Sequence, residues 1–315
     1  MEGTPTRKLV SRIAVILALG FCISPFGSPP LALLTGIFIA LMLENPFDFL
    51  KGKVITVLLQ CSVVGLGFGI HISKAIQAGK TGIIFTVFSI TATLLLGKLI
   101  GKWLKVENKI AYLIACGTAI CGGSAIAAVA PIIKAEKDQI SVALGTVFIL
   151  NAIALFIFPP IATYLNLPPF DFGVWCAIAI HDTSSVVGAA SKFGAIALES
   201  ATTIKLTRTL WIIPLAITSS YLYKNKESKV KIPYFILYFV IAMLLNSFIP
   251  VIAQLSPYIV GLSRKGLTIT LFLIGLGLSP SSLRTVGIKP FIQGVVLWVL
   301  ISVLSILVIV NHWLV

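Results

Sequence analysis

Polar side chains are scarce in this chain, and those able to do chemistry gather in two short stretches. The first is CGGS at 121–124, inside CGTAICGGSAIAAVAPI at 116–132. Gly122 and Gly123 each weaken a helix by about 1 kcal/mol relative to alanine, and Pro131 removes a backbone donor further along. An unwound midpoint here would let a second half-helix begin at about Ser124, whose free N–H groups and positive dipole end suit an anion. The same small residues would equally let two helices pack closely. The residues leave both readings open.

The second stretch is HDTSS at 181–185, within AIHDTSSVVGAA at 179–190. Asp182 is a carboxylate far from the ends of an apolar segment, and His181 beside it is one of three histidines. Ionisable groups at membrane depth are costly and mark ion or substrate paths. Asp182 followed by Thr183, Ser184 and Ser185 also reads as a helix N-cap, with hydroxyls free to face a ligand. A cap at the membrane interface would explain the same residues at little cost. Lys205 and Arg208, three residues apart on one helix face, suit an anion's counter-charges or partners for Asp182, or else snorkel to the interface. Asn151, in VFILNAIALF, faces either a cavity or a neighbouring helix.

The elements that must hold these residues follow from composition. With 58% hydrophobic and 11% charged residues and a mean hydropathy of +1.06, the chain is an all-α polytopic membrane protein. Apolar segments fall at 9–25, 29–45, 53–73, 81–101, 110–133, 140–163, 172–197, 203–223, 233–250, 258–283 and 290–311, about eleven in all. The first resembles a signal peptide but lacks a clear cleavage site, and it is read as a retained helix. The net charge of +14 comes from short clusters between segments rather than one basic face, which argues against nucleic acid and for topology signals and contacts with the lipid bilayer. Five cysteines without metal-ligand spacing read as free thiols.

With the N-terminus cytoplasmic and the C-terminus outside, 15 of the 24 Lys and Arg residues lie on the inside. If 110–133 and 172–197 each dip in and return, the inside share rises to 17. The basic residues therefore favour two interrupted segments, broken or re-entrant, entering from opposite faces. Two internal similarities agree. GLGFGIHISK at 65–74 matches GLGLSPSSLR at 275–284 at three positions with a basic residue at equal distance, and CGTAICGGS at 116–124 matches CAIAIHDTS at 176–184 at positions that include Cys116/Cys176, Ile120/Ile180 and Ser124/Ser184. The organisation expected is a peripheral first helix over 1–28, a first repeat over 29–163 and an inverted second repeat over 172–311, with the site at the midplane.

CGTAICGGSAIAAVAPII together with AIHDTSSVVGAA resembles the YeiH-like family of bacterial inner-membrane proteins, which carries a sulfate-exporter label. The resemblance covers essentially the whole chain. It implies membership of the wider grouping of cation:proton antiporters and anion transporters, with inverted repeats and crossed, interrupted helices; a homodimer would fit that grouping.

The leading expectation is a secondary transporter, not an enzyme and without a cofactor, that exports a small anion such as sulfate. Gly122, Gly123, Ser124, Thr183, Ser184, Ser185 and Arg208 would bind the anion, while Asp182, His181 and Asn151 would couple it to protons. Binding an anion next to Asp182 favours protonation of that carboxylate. The alternative is a cation:proton antiporter, moving sodium for example, with Asp182 as ion ligand. A Ser124–His181 nucleophile–base pair for an intramembrane hydrolase is the least supported reading. The chain has no Walker-type nucleotide loop to couple ATP directly.

Overall fold

The computed structural model describes residues 5–24, 27–43, 53–223, 234–277 and 287–311, which are all-helical with no strand among them. Pro280, Arg284 and the linker lysines Lys224, Lys226, Lys229 and Lys231, used above for the repeat and for topology, lie outside the described residues. Among the described residues three helices are long and apolar enough to cross a membrane, at Asp138–Tyr164, Pro250–Gly277 and Ile288–Val310. Shorter apolar helices accompany them, among them Leu9–Ile23, Leu31–Met42 and Leu237–Phe248.

The chain forms two compact units, each drawing on two separate parts of the sequence. The first, from 1–74 and 234–283, holds α1 (Pro5–Ile23), α2 (Pro29–Met42), α3 (Lys53–Gly67), α12 (Tyr234–Phe248) and α13 (Pro250–Gly277). Helix α13 packs on α2 and α3 around Val15, Cys22, Ile39, Phe272 and Leu276. Glycine sets the closeness of the α2–α13 crossing: a Cβ on Gly36 would lie 2.2 Å from the carbonyl oxygen of Phe272, and one on Gly275 2.4 Å from that of Leu33. Backbones meet directly there, as at other small-residue contacts between membrane helices.

The second unit, from 75–233 and 284–315, takes most of α4 (Ile72–Trp103) with α5 (Asn108–Ala119), α6 (Gly123–Val129), α7 (Lys137–Tyr164), α8 (Pro169–Ala179), α9 (Thr183–Lys192), α10 (Ala195–Thr209), α11 (Ile212–Leu222) and α14 (Ile288–Val310). The apolar stretch at 110–133 is not one helix. It stops at Ala119 and resumes at Gly123, and Gly122 takes φ +60°, ψ −120°. That left-handed φ is open to glycine at little cost, so the glycine pair has a conformational reason beyond close packing. The stretch at 172–197 likewise divides, α8 ending at Ala179 and α9 starting at Thr183.

A third division was not expected from the sequence. The apolar run at 203–223 splits between α10 and α11, where Trp211 and Ile213 donate to Arg208 and Leu210 three residues back. Pro214 has no N–H to give the Leu210 carbonyl, so the helix tightens there and restarts. Pro159 and Pro160, by contrast, lie inside α7 near its end, and Thr163 Oγ1 donates to the Pro159 carbonyl at 3.0 Å.

Helices α8 and α10 press together at Gly173, where an added Cβ would sit 1.9 Å from Ser200 Oγ, 2.5 Å from the Ala197 carbonyl oxygen and 3.0 Å from the Ala201 nitrogen. Two of those three atoms are backbone, so the helices must move apart to admit a methyl group. Gly173→Ala is expected to destabilise the protein by about 1–3 kcal/mol, read as a lower melting temperature in detergent. Gly20→Ala, whose methyl would meet open space within 4 Å, is the control and should leave the melting temperature unchanged or slightly raised.

Candidate functional site

The two links between half-helices meet inside the second unit. A Cβ on Gly122 would lie 3.4 Å from both the carbonyl carbon and oxygen of His181, and 3.2 Å from Val147 on α7. The left-handed turn of one link thus rests on the extended backbone of the other. Asn151, also on α7, accepts a hydrogen bond from the backbone N–H of His181 through Oδ1 at 2.9 Å. Its Nδ2 is buried without a partner, as are both ring nitrogens of His181. Asn151 therefore faces the links, not a lipid surface, and it positions the second one.

Where a helix stops, its last carbonyls lose their intrahelical partners. At the end of α8, Lys205 Nζ donates to the carbonyls of Ala177 (3.2 Å) and Ile180 (2.7 Å). At the end of α5, Arg208 Nη2 donates to the Ala119 carbonyl at 2.7 Å, while Nη1 donates to Ser89 Oγ on α4 at 2.9 Å. Both cations come from one face of α10 and both are 0% exposed. Neither snorkels to an interface. Each sits where the partial negative charge of a helix C-terminus is greatest, which favours a cation.

The start of α9 is held from the other side. Asp182, in extended conformation, is its N-cap, and Oδ2 accepts from the backbone N–H groups of Ser184 (3.1 Å) and Ser185 (3.2 Å) and from the Ser184 hydroxyl. A longer contact of 3.5 Å comes from Ser185 Oγ. All of these converge on Oδ2, leaving Oδ1 without a hydrogen-bond partner among the described residues. Asp182 is only partly buried, whereas Thr183, Ser184 and Ser185 are buried. The N-cap geometry is the one the HDTSS sequence suggested, and such a cap contributes about 1 kcal/mol.

The remaining sequence candidates fall unevenly. Gly122 is buried at the crossing, and Gly123 is partly buried at the start of α6. Ser124 is exposed, so its hydroxyl lies away from the buried cluster of His181, Asn151, Lys205 and Arg208. No Ser124–His181 hydrogen bond forms, since neither imidazole nitrogen has a partner. Two contributors stand outside the expected set. Thr118, one residue before the end of α5, has a buried unpartnered hydroxyl, and Ser89 steers Arg208. Ser89 carried no signal in the sequence, being one of six hydroxyl residues spread along α4.

Comparison with known proteins finds relatives that are named as membrane proteins. Residues 7–294 match the family described as Conserved hypothetical protein 698. A UPF0324 membrane protein of Bacteroides thetaiotaomicron is 53% identical over 281 residues, covering 89% of this chain and 85% of its own length. One of Porphyromonas gingivalis is 50% identical over 286 residues, covering 89% and 87%. A third, from Geobacter sulfurreducens, is 44% identical over 313 residues and 99% of both chains. No solved structure matches the chain. The YeiH-like resemblance of the two motifs fits these matches, which carry no sulfate label, and the chain belongs to the UPF0324 family of membrane proteins, Conserved hypothetical protein 698.

Proposed function

We propose that this protein is a secondary active transporter of the bacterial inner membrane that exports a small anion, sulfate or a related oxyanion, with proton coupling. The observation that carries this reading is the pair of fully buried cations, Lys205 and Arg208, at the meeting of two interrupted helices. Burying two like charges is expensive unless opposite charge is close. A helix C-terminus supplies only about half a unit. Asp182 is one carboxylate, and its Oδ2 is already engaged with α9. An anion entering the links completes the compensation.

The reading includes about eleven membrane segments, of which α5–α6 and α8–α9 are the interrupted ones, a cytoplasmic N-terminus and an outside C-terminus. A first helix over 1–28 precedes repeats over 29–163 and 172–311. Support for the inverted repeats comes from the way each compact unit draws on both halves of the chain. The matched glycines Gly65, Gly67, Gly275 and Gly277 fall in one unit, and the segments starting at Cys116 and Cys176 fall in the other. Interlocked halves of this kind are common among secondary transporters.

In this mechanism the anion is held by Arg208 and the buried start of α9, with Thr183, Ser184 and Ser185 as donors. Gly122 keeps the first link close to the second, and Gly123 with Ser124 opens toward the entry side. Asp182 takes up a proton on Oδ1 as the anion arrives, because two adjacent negative charges are unfavourable. Proton and anion then move together, and each raises the affinity for the other. His181 passes the proton, and Asn151 holds its backbone in register. The protein acts without a cofactor and is not an enzyme; a homodimer is compatible with this scheme. The free Oδ1 of Asp182 also favours a second reading, a cation:proton antiporter with that oxygen as ion ligand.

Purified protein in liposomes should move radiolabelled sulfate at a rate that follows an imposed pH gradient. Asp182→Asn is expected to keep sulfate movement and weaken its dependence on the gradient; unchanged dependence removes Asp182 from the coupling. Sodium-dependent proton release with no anion requirement would decide for the antiporter instead. Arg208→Gln, which keeps a donor and discards a permanent charge, should weaken sulfate binding about 10-fold or more, or about 1.4 kcal/mol, in equilibrium binding to the detergent-solubilised protein.

A further inference from the structure

We propose that Lys205 is a second proton site of the transporter, an ammonium when an anion is bound and a neutral amine when the links are empty. The inference rests on the transport reading above and adds to it a group with no role there beyond its buried charge. It starts from donor counting. Lys205 Nζ is fully buried and has two hydrogen-bond partners, the carbonyl oxygens of Ala177 and Ile180. An ammonium has three N–H bonds, and a neutral amine has two. The amine therefore satisfies both carbonyls, and the ammonium carries a third donor with no partner among the described residues. Loss of one proton leaves the end of α8 capped.

Arg208 makes the contrast. It caps α5 through Nη2 and reaches Ser89 through Nη1, and a guanidinium keeps its charge under all ordinary conditions. One interrupted helix thus ends on a permanent charge and the other on a charge that can be withdrawn. The charged and titratable groups facing Lys205 are Arg208 one turn along α10, His181 and Asp182 from the link between α8 and α9, and Cys121 from the link after α5. Helix α8 itself offers it carbonyls. An anion between Lys205 and Arg208 would take up the third N–H of the ammonium, the one that the two carbonyls of α8 leave over.

The step balances simply. On anion release one N–H bond of Lys205 breaks, its electron pair stays on Nζ, and the proton leaves to water that follows the departing anion. On anion entry water delivers a proton to the Nζ lone pair and the third N–H points to the ligand. Lys205 then contributes one proton per anion in addition to that of Asp182, and the two are separable by substitution.

NMR of the full-length protein in detergent, with isotope-labelled lysine observed at Cε, reads the protonation state directly. One resonance, missing in both Lys205→Arg and Lys205→Gln so that either variant assigns it, is expected at the amine position without sulfate and at the ammonium position with it. A Lys205 resonance that stays at the ammonium position in sulfate-free protein overturns the proposal. An amine that does not respond to sulfate keeps Lys205 as a proton site and counts against sulfate as the anion, which separates the two failures. In liposomes Lys205→Arg should carry one proton fewer per sulfate than the unaltered protein, read with an internal pH dye; an unchanged ratio overturns the coupling.

Discussion

A helix that ends inside an apolar environment leaves carbonyls that water cannot reach, and each such group costs roughly 1–3 kcal/mol if nothing bonds it. Two helices of this protein, α5 and α8, end in that way within one compact unit. Their carbonyls are met from one face of α10, by Arg208 at Ala119 and by Lys205 at Ala177 and Ile180. The arrangement of that unit follows from this requirement. Helix α10 must run close to both ends at once, which explains why Gly173 of α8 lies against the backbone of α10. Ser89 of α4 and Asn151 of α7 then fix the guanidinium and the second link.

The cost of burying Lys205 and Arg208 is several kcal/mol each before compensation. Hydrogen bonds to carbonyls and the helix dipoles return part of it. What remains is a cost that the described residues offset only in part, and the proposed anion would offset the rest. A site built to pack tightly would have used apolar residues and continuous helices instead, at lower cost. The interruption and the cations therefore belong to one design, since each is unfavourable alone and the two offset one another.

Much of this was legible in the sequence, and the reason differs from residue to residue. Gly122 was readable because a glycine pair in an apolar segment removes both Cβ atoms where the backbone needs a left-handed turn. Asp182 was readable because an acidic residue followed by three hydroxyl residues has a local reason to cap a helix, and capping depends on neighbours in sequence. The partners of Lys205 and Arg208 were not readable, because they are backbone carbonyls more than twenty residues away and any residue supplies one. The break at Pro214 was missed for another reason. Proline is tolerated in long apolar helices, as Pro159 and Pro160 are in α7, so its effect depends on whether the chain has room to tighten. Ser124 sits beside the first link in sequence yet is exposed, because the link turns its backbone inward at Gly122 and the short helix α6 carries the serine to the outer side.

The two interrupted stretches are alike in plan and unlike in detail, and the unlikeness bears on mechanism. In the first, the helix before the break ends on an arginine and the residue before the restart is a glycine with no side chain to offer. In the second, the helix ends on a lysine and the restart is capped by a carboxylate whose second oxygen has no hydrogen-bond partner among the described residues. Asp182 and Lys205, the two groups to which a coupled proton is assigned, thus belong to the second crossing, and the guanidinium of Arg208 belongs to the first. A device that must bind a charged ligand, move it and let it go needs one part that holds its electrostatics constant and another that can alter them. Lys205 and Arg208 stand on adjacent turns of α10, so a single helix bonds both broken ends and ties the two crossings together without an intervening loop.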